Sequence, residues 1–283
     1  MIKKYLSLVK FSHTIFAMPF AMIGFFLAVE NEHHAVSWKI FALVILCMIF
    51  ARSAAMAFNR VLDVEFDKLN PRTANREIPT GKVSYRNGII FAIINCLLFI
   101  ATTFFINKIC FYLSPVALLV VLGYSYTKRF TALCHLVLGV GLSLAPIGAY
   151  LAVTGHFSLL PVLFSFVVLC WVAGFDIIYS LQDEEFDKSQ QLHSFPSWMG
   201  KRKALQFSSL LHFCSAALVV AAGIIGQFGI LYWIGTGVFI VMLIYQHLLV
   251  KPNDLSKVNI AFMTTNGIAS CVFALFAIAG FYF

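Results

Sequence analysis

The sequence is short of charge, and of acid above all. Charged residues make up 11% of its 283 positions and only 12 are Asp or Glu, whereas ordinary soluble domains carry about 25% charged residues. That excludes a conventional water-soluble domain. Cysteine pairing is also missing. The seven cysteines (Cys47, Cys96, Cys110, Cys134, Cys170, Cys214 and Cys271) lie in or beside apolar runs with no C-x-x-C pair, so they read as small buried hydrophobes, not as disulfides or metal ligands. There is no linker or low-complexity tract, so residues 1–283 read as one domain with no soluble appendage. The formal charge of +8 does not argue for nucleic acid, because the basic loops are short and acid-rich and flank apolar runs. Met1-Ile2-Lys3-Lys4 before an apolar stretch imitates a signal peptide, but no small-residue cleavage site follows; a retained first helix is expected.

Long apolar runs are what the chain has. Nine stretches, roughly 12–30, 38–58, 88–107, 109–127, 132–154, 158–181, 204–225, 229–250 and 259–282, approach the ~20 residues needed to cross a hydrocarbon core about 30 Å thick. Lipid-exposed backbone must satisfy its own hydrogen bonds, so these are expected to be helices, giving an all-α integral membrane bundle. Numbering the loops alternately puts 17 of the 20 Lys and Arg on one side, with Lys39 and Lys108 opposite and Arg52 inside a span. The positive-inside rule then places the N-terminus in the cytoplasm and the C-terminus outside. In a prokaryote this would be a multi-pass protein of the inner membrane.

Eight of the 12 acidic residues fall in two short segments at the inner ends of spans: Asn59-x-x-x-Asp63-x-x-x-Asp67 with Glu65, and Asp176-x-x-Tyr179-x-x-x-Asp183-x-x-x-Asp187 with Glu184 and Glu185. An Asp at the centre of a membrane helix costs about 2.5–3.5 kcal/mol, less near its end, so such residues mark functional sites by default. Positions four apart share a helix face, which makes each cluster a polar stripe. Hard oxygen ligands of this kind suit Mg²⁺ bridged to substrate phosphates. The competing reading, two solvated helix ends, does not explain why both clusters recur at corresponding places. They open the two long inner loops, 59–87 and 182–203, and Asp63 and Asp183 stand 120 residues apart. That spacing suggests two parallel repeats, helices 1–4 and 5–8, followed by a last helix.

The first loop continues Asn70-Pro71-Arg72-Thr73-Ala74-Asn75-Arg76, and Lys128-Arg129 begins the next inner loop. Arginine forks match phosphate, so these four cations are candidates to surround a diphosphate. Lys201-Arg202-Lys203, Lys251 and Lys257 read instead as positive-inside anchors.

These motifs resemble the UbiA superfamily of intramembrane prenyltransferases along nearly the full chain. Asn59-Arg60-x-x-Asp63-x-x-x-Asp67 with Arg72-Thr73-x-x-Arg76 is similar to the family's first aspartate motif and arginine loop, and the Asp176–Asp187 segment to its second motif. Tyr124-Ser125-x-x-Lys128-Arg129-x-Thr131 and Ser194-x-Pro196 match further signatures. The family loop reads R-T-x-x-R-P, whereas Glu77 and Ile78 here separate Arg76 from Pro79, which unsettles the role of Arg76. The resemblance implies nine helices around a cavity open to the cytoplasm and Mg²⁺-dependent transfer of a prenyl chain. Asn59, Asp63, Asp67, Asp183 and Asp187 would bind Mg²⁺–diphosphate. Arg72 and Lys128, with Arg76 and Arg129 beside them, would grip the diphosphate. Asp176 and Tyr179 would face the reacting centre, with either Asp63 or Asp176 as base.

The partners so implied are a polyprenyl diphosphate, an aromatic acid and the bilayer; nothing calls for an obligate protein partner. The acceptor expected is 4-hydroxybenzoate, in ubiquinone or menaquinone biosynthesis, with a dihydroxynaphthoate as the alternative. A haem or macrocycle acceptor lacks clear supporting histidines. A cation-coupled transporter would place its acids near the bilayer midplane, and a CDP-alcohol phosphotransferase would carry a D-G step that is absent at Asp63 and Asp67. Lys10 and His13, at the start of the first span, are candidates for the acceptor's carboxylate and hydroxyl, although an interfacial lysine is as good a reading of Lys10. If Lys10 is the anchor, Lys10→Ala raises KM for a carboxylated acceptor more than for the prenyl diphosphate; equal rises remove that role.

Overall fold

A computed structural model describes residues 2–9, 16–33 and 35–283. Among them the chain is helical throughout, apart from a lone bridge between Lys251 and Asp254. The helices are α1 (Ile2–Leu8), α2 (Met18–Asn31), α3 (Trp38–Leu62), α4 (Val64–Leu69), α5 (Tyr85–Phe104), α6 (Lys108–Thr127), α7 (Cys134–Thr154), α8 (Leu159–Ser180), α9 (Glu184–Ser189), α10 (Phe195–Gly226), α11 (Ile230–Leu249) and α12 (Asn266–Tyr282). Side-chain caps start several of them. Ser37, Ser84 and Asn107 accept from the backbone N–H three residues on, and Ser194 forms a capping box with Ser197. Each cap satisfies a donor that the first helical turn leaves without a partner.

Eight helical segments among the described residues are long and apolar enough to cross a membrane. They match the expected stretches from 38 onward. Of the stretch expected at 12–30, residues 12–15 lie outside the described residues; the described helix, α2, has 14 residues, about 21 Å at 1.5 Å per residue. The second inner loop is shorter than expected because α10 begins at Phe195, with Gly200 at φ 80° breaking its first turns from the long span. That positive φ is one a glycine adopts without a Cβ clash.

The core lies around α8. Phe164, Trp171 and Phe175 are buried with Phe20 of α2, Phe239 of α11 and Phe273 of α12. With hydrocarbon outside, burial of apolar surface does not hold membrane helices together; close packing and interhelical hydrogen bonds do. Trp171 Nε1 donates to Asn266 Oδ1 at 2.8 Å, and Asn266 Nδ2 donates to the carbonyls of Ala261 and Phe262, each at 3.0 Å. Those carbonyls belong to a single π-helical turn, Ile260–Thr265, that precedes α12. One amide thereby joins the widened turn to the bundle centre. His212 Nδ1 meets His247 Nε2 at 2.8 Å between α10 and α11 as a second polar tie. α1 lies against the first long loop and α5: Ser7 donates to the Glu77 carboxylate, and Tyr5 stacks on Phe91 of α5.

Gly24 is where α2 and α7 approach most closely, since a Cβ there would collide with the backbone carbonyl of Pro146. Backbone cannot swing aside as a side-chain tip can. Gly24→Val should therefore destabilise the protein by about 1–3 kcal/mol through overpacking, read as a lower Tm of the detergent-solubilised protein. An unchanged Tm would mean that the contact carries no constraint.

Candidate active site

Both acidic clusters straddle a break in their helix, where uninterrupted stripes were expected. α3 ends at Leu62 and Asp63 sits at φ −92°, ψ 10° before α4 begins. α8 ends at Ser180, a 3₁₀ turn follows, and Asp183 sits at φ −100°, ψ 4° before α9. The two aspartates thus share one sparsely populated backbone conformation, a region that many active-site residues occupy. The first stripe survives the break, because Asp63 N bonds Asn59 O at 2.9 Å and Asp67 N bonds Asp63 O at 2.8 Å.

Each carboxylate takes its own cation. Arg129 Nη2 lies 2.9 Å from Asp63 Oδ1, Arg76 Nη1 2.6 Å from Asp67 Oδ1, Arg72 Nη2 2.5 Å from Asp183 Oδ2, and Lys128 Nζ 2.7 Å from Asp187 Oδ1. Arg72 binds Asp183 with two nitrogens and donates a third bond, at 2.9 Å, to Tyr179 Oη. Asn59 Nδ2 donates to Asp63 Oδ2 at 2.9 Å. The first loop therefore reaches the second cluster, and the end of α6 reaches both. Burial pushes the Asp63 carboxyl above the usual carboxylate range, and Arg129 offsets only part of this. Burial works against the Lys128 ammonium, but Asp187 beside it prevails and raises it.

These side chains enclose a polar cavity of about 230 Å³. Of the residues expected from sequence, Asn59, Asp63, Asp67, Arg72, Arg76, Lys128, Arg129, Asp176, Tyr179 and Asp183 all line it. Asp187 does not; it is fully buried behind Lys128. Lys10 and His13 lie outside the described residues. Among the described residues no three acidic, His or Cys side chains are placed to hold a metal by themselves. The donor set still fits a hard cation that shares its shell with water and phosphate, because Asp67 Oδ2 is a buried acceptor left without a hydrogen-bond partner.

Three features of the cavities escaped the sequence reading. Asn70 Nδ2 donates to Asp183 Oδ1 at 3.1 Å, while its own Oδ1 accepts from Arg72 N at 2.9 Å; an Asn-Pro turn was its only signal. His135 Nδ1 lies 2.7 Å from Asp176 Oδ2, and a lone His in an apolar run announces nothing. Arg52 lines a second, apolar cavity of about 370 Å³ formed mainly by α3, α6 and α7, and its Nε is buried without a partner. Tyr124 and Leu138 line both cavities, so the two adjoin there. Beside Tyr179, the Phe262 ring of the π-helical turn stacks at a centroid distance of 4.1 Å.

Comparison with known proteins agrees with this geometry. A 4-hydroxybenzoate octaprenyltransferase of Francisella tularensis subsp. novicida is 27% identical over 228 residues, covering 81% of this chain and 80% of that protein. One of Paraburkholderia phytofirmans is 26% identical over 240 residues, covering 84% and 82%. The apo structure of a UbiA homologue from Aeropyrum pernix K1 superposes with a TM-score of 0.81 at 29% identity, over 95% of this chain and 96% of that one. A homologue from Archaeoglobus fulgidus bound to GPP and Mg²⁺ shares the fold, with a TM-score of 0.79 at 21% identity over 99% and 100% of the two chains. Residues 17–268 match the model of the UbiA prenyltransferase family, and with the paired aspartate motifs gathered around one cavity, the chain belongs to that family and is a membrane-embedded prenyltransferase.

Proposed function

We propose that the protein transfers a polyprenyl group from its diphosphate to an aromatic acid, 4-hydroxybenzoate, in quinone biosynthesis. The observation that carries this reading is the pair of adjoining cavities, one lined by balanced carboxylates and cations, the other apolar and about 370 Å³ in volume. The names borne by the bacterial relatives favour 4-hydroxybenzoate; a dihydroxynaphthoate is the second reading, because it presents the same carboxylate. The family match does not favour a transporter. In this proposal the N-terminus and the polar cavity face the cytoplasm of a bacterial inner membrane, and α2 belongs to the ninth span. The common backbone conformation of Asp63 and Asp183 supports a parallel repeat within a single domain.

Asn59, Asp63, Asp67 and Asp183 are the proposed holders of Mg²⁺, with Asp187 joined to them through Lys128. Bound there, Mg²⁺ would offset the charge that develops on the diphosphate as the allylic C–O bond breaks. Arg72, Arg76, Lys128 and Arg129 hold the carboxylates in the free protein, and they exchange those partners for phosphate oxygens when the substrate enters. Once made on substrate binding, such charge-assisted bonds stabilise the charge that develops in the transition state. The face of Tyr179 shields the allylic cation from water, and an aromatic face attracts a cation. Four of the five aspartates are each held by Arg or Lys, while Asp176 is held by His135 instead. Asp176 is accordingly the base that accepts the proton the acceptor ring loses on prenylation.

Arg52 is the cation that the apolar cavity itself presents to an aromatic acid; Lys10 and His13, outside the described residues, stay candidates from the sequence alone. Arg52→Gln should raise KM for 4-hydroxybenzoate about tenfold or more, as expected for loss of a charge-assisted bond worth roughly 1.5–3 kcal/mol, and leave KM for geranyl diphosphate unchanged. A matching rise for both substrates counts against this role. Asp63→Ala and Asp183→Ala should each lower formation of prenylated hydroxybenzoate about a thousandfold, with both proteins still folded in membranes. The assay uses geranyl diphosphate, 4-hydroxybenzoate and Mg²⁺, with an EDTA control; near-normal product from either variant removes the metal site.

A further inference from the structure

The Asp176 carboxylate is held unlike its neighbours. His135, from the first turn of α7, is buried, with 4% of its side chain exposed, and its Nδ1 lies 2.7 Å from Asp176 Oδ2 on α8. The other ring nitrogen, Nε2, faces the backbone N–H of Phe195 at 3.4 Å. An N–H group can only donate, so Nε2 must present its lone pair, and in the neutral ring the proton then sits on Nδ1. His135 therefore donates to Asp176. Phe195 is the first residue of α10, with Ser194 as its N-cap. Its N–H belongs to the set that no helical carbonyl can reach, so the imidazole is the partner that donor would otherwise lack. The Phe195 ring also stacks on the imidazole, with centroids 5.8 Å apart. Asp176 itself is about a quarter exposed, at 24%, and lines the polar cavity. Its second oxygen, Oδ1, has no hydrogen-bond partner among the described residues.

We infer that His135 is a positioning residue for prenyl transfer: it donates from Nδ1 to Asp176 Oδ2, which directs Asp176 Oδ1 at the acceptor, and its tautomer is set by the N-terminus of α10. This rests on the reading of Asp176 as the base. In the step served, the ring C–H bond of the prenylated acceptor breaks, its electron pair restores the aromatic ring, and the proton passes to Asp176 Oδ1. A neutral imidazole suits this task. It orients the carboxylate without contributing a full positive charge that would weaken the base, and the Phe195 N–H aimed at Nε2 leaves no acceptor there for a second ring proton. Arginine partners, as at Asp63, Asp67 and Asp183, would hold a carboxylate more strongly and make it a poorer base.

The test compares His135→Phe, which keeps the ring and its stacking but removes the donor, with His135→Asn, whose Nδ2 can replace Nδ1–H. With geranyl diphosphate, 4-hydroxybenzoate and Mg²⁺, His135→Phe should lower kcat for prenylated product about a hundredfold, the scale of a misoriented reacting group. KM for geranyl diphosphate should stay within about twofold, and pyrophosphate release should exceed product. His135→Asn should recover kcat to within about tenfold of wild type. Near-wild-type kcat in the Phe variant, or an Asn variant as impaired as Phe, overturns the inference. A second readout needs no turnover: ¹⁵N NMR of histidine-labelled protein in nanodiscs, with the His135 signals identified by their loss in His135→Phe. The neutral Nδ1–H tautomer is expected; an Nε2–H tautomer or an imidazolium overturns the inference even if the wild-type protein prenylates no acceptor tried. Failure of the wild-type assay together with an Nδ1–H signal would instead count against the proposed acceptor chemistry alone.

Discussion

Burying a carboxylate beside hydrocarbon is so unfavourable that it must be matched by a positive charge, and the end of this protein that carries the two long loops is organised by that requirement. A fully desolvated ion without a partner costs several kcal/mol even after relaxation. Here four aspartates take four basic residues, and the pairs do not stay within one segment. Arg72 leaves the first loop for Asp183, while Lys128 and Arg129, adjacent in sequence, divide between Asp187 and Asp63. Breaking any pair strands a charge, so the pairs fix how the two inner loops sit against the end of α6. The backbone follows the same course, with His193 N bonded to Lys128 O at 2.8 Å. What holds the loops in place is also what gives them chemistry, since charges balanced against each other can be offered to a metal and a diphosphate.

The site was legible in the sequence to the degree that its residues were improbable where they stood. Asp63, Asp67, Asp176 and Asp183 are carboxylates at the ends of apolar runs, and Arg72, Arg76, Lys128 and Arg129 lie in the loops between such runs. Spacing alone put them together, and all eight line one cavity. Spacing could not say that Asp187 would fall behind Lys128, because Phe186 beside it lines the cavity while Asp187 lies on the buried side of α9. Nor could it give the helix breaks at Asp63 and Asp183, since four-residue periodicity continues through a kink that keeps its hydrogen bonds. His135 and Arg52 were invisible for another reason: each is a lone polar residue in an apolar run, and its meaning comes entirely from a partner or cavity contributed by another helix. The eight longer spans were readable from length and apolarity, which depend on the bilayer and not on tertiary packing. Of the first stretch, residues 12–15 lie outside the described residues, and α2 makes up most of the rest.

Two cavities of opposite character meet at Tyr124 and Leu138. A diphosphate and its isoprenoid tail pose opposite solvation problems, and one wall residue that is both aromatic and hydroxylic stands at the point where one problem gives way to the other. The polar side is confined by ion pairs and the apolar side by close-packed helices with small residues such as Gly141, Ala145 and Ala149 along the lining.

The π-helical turn at Ile260–Thr265 gives the last span an extra residue in one turn of backbone. Rotation accumulates along a helix, so that added residue sets the phase of everything beyond it: Phe262 faces Tyr179 on the inner side, while Phe273 faces Phe239 and Phe164 in the core. Removing one residue there would swing these two contacts about 100° out of phase with each other. The insertion works as a phase corrector, allowing a single helix to satisfy the geometry of the polar cavity's wall at one end and of the bundle at the other. Its setting is held by the Asn266 amide and the Trp171 indole.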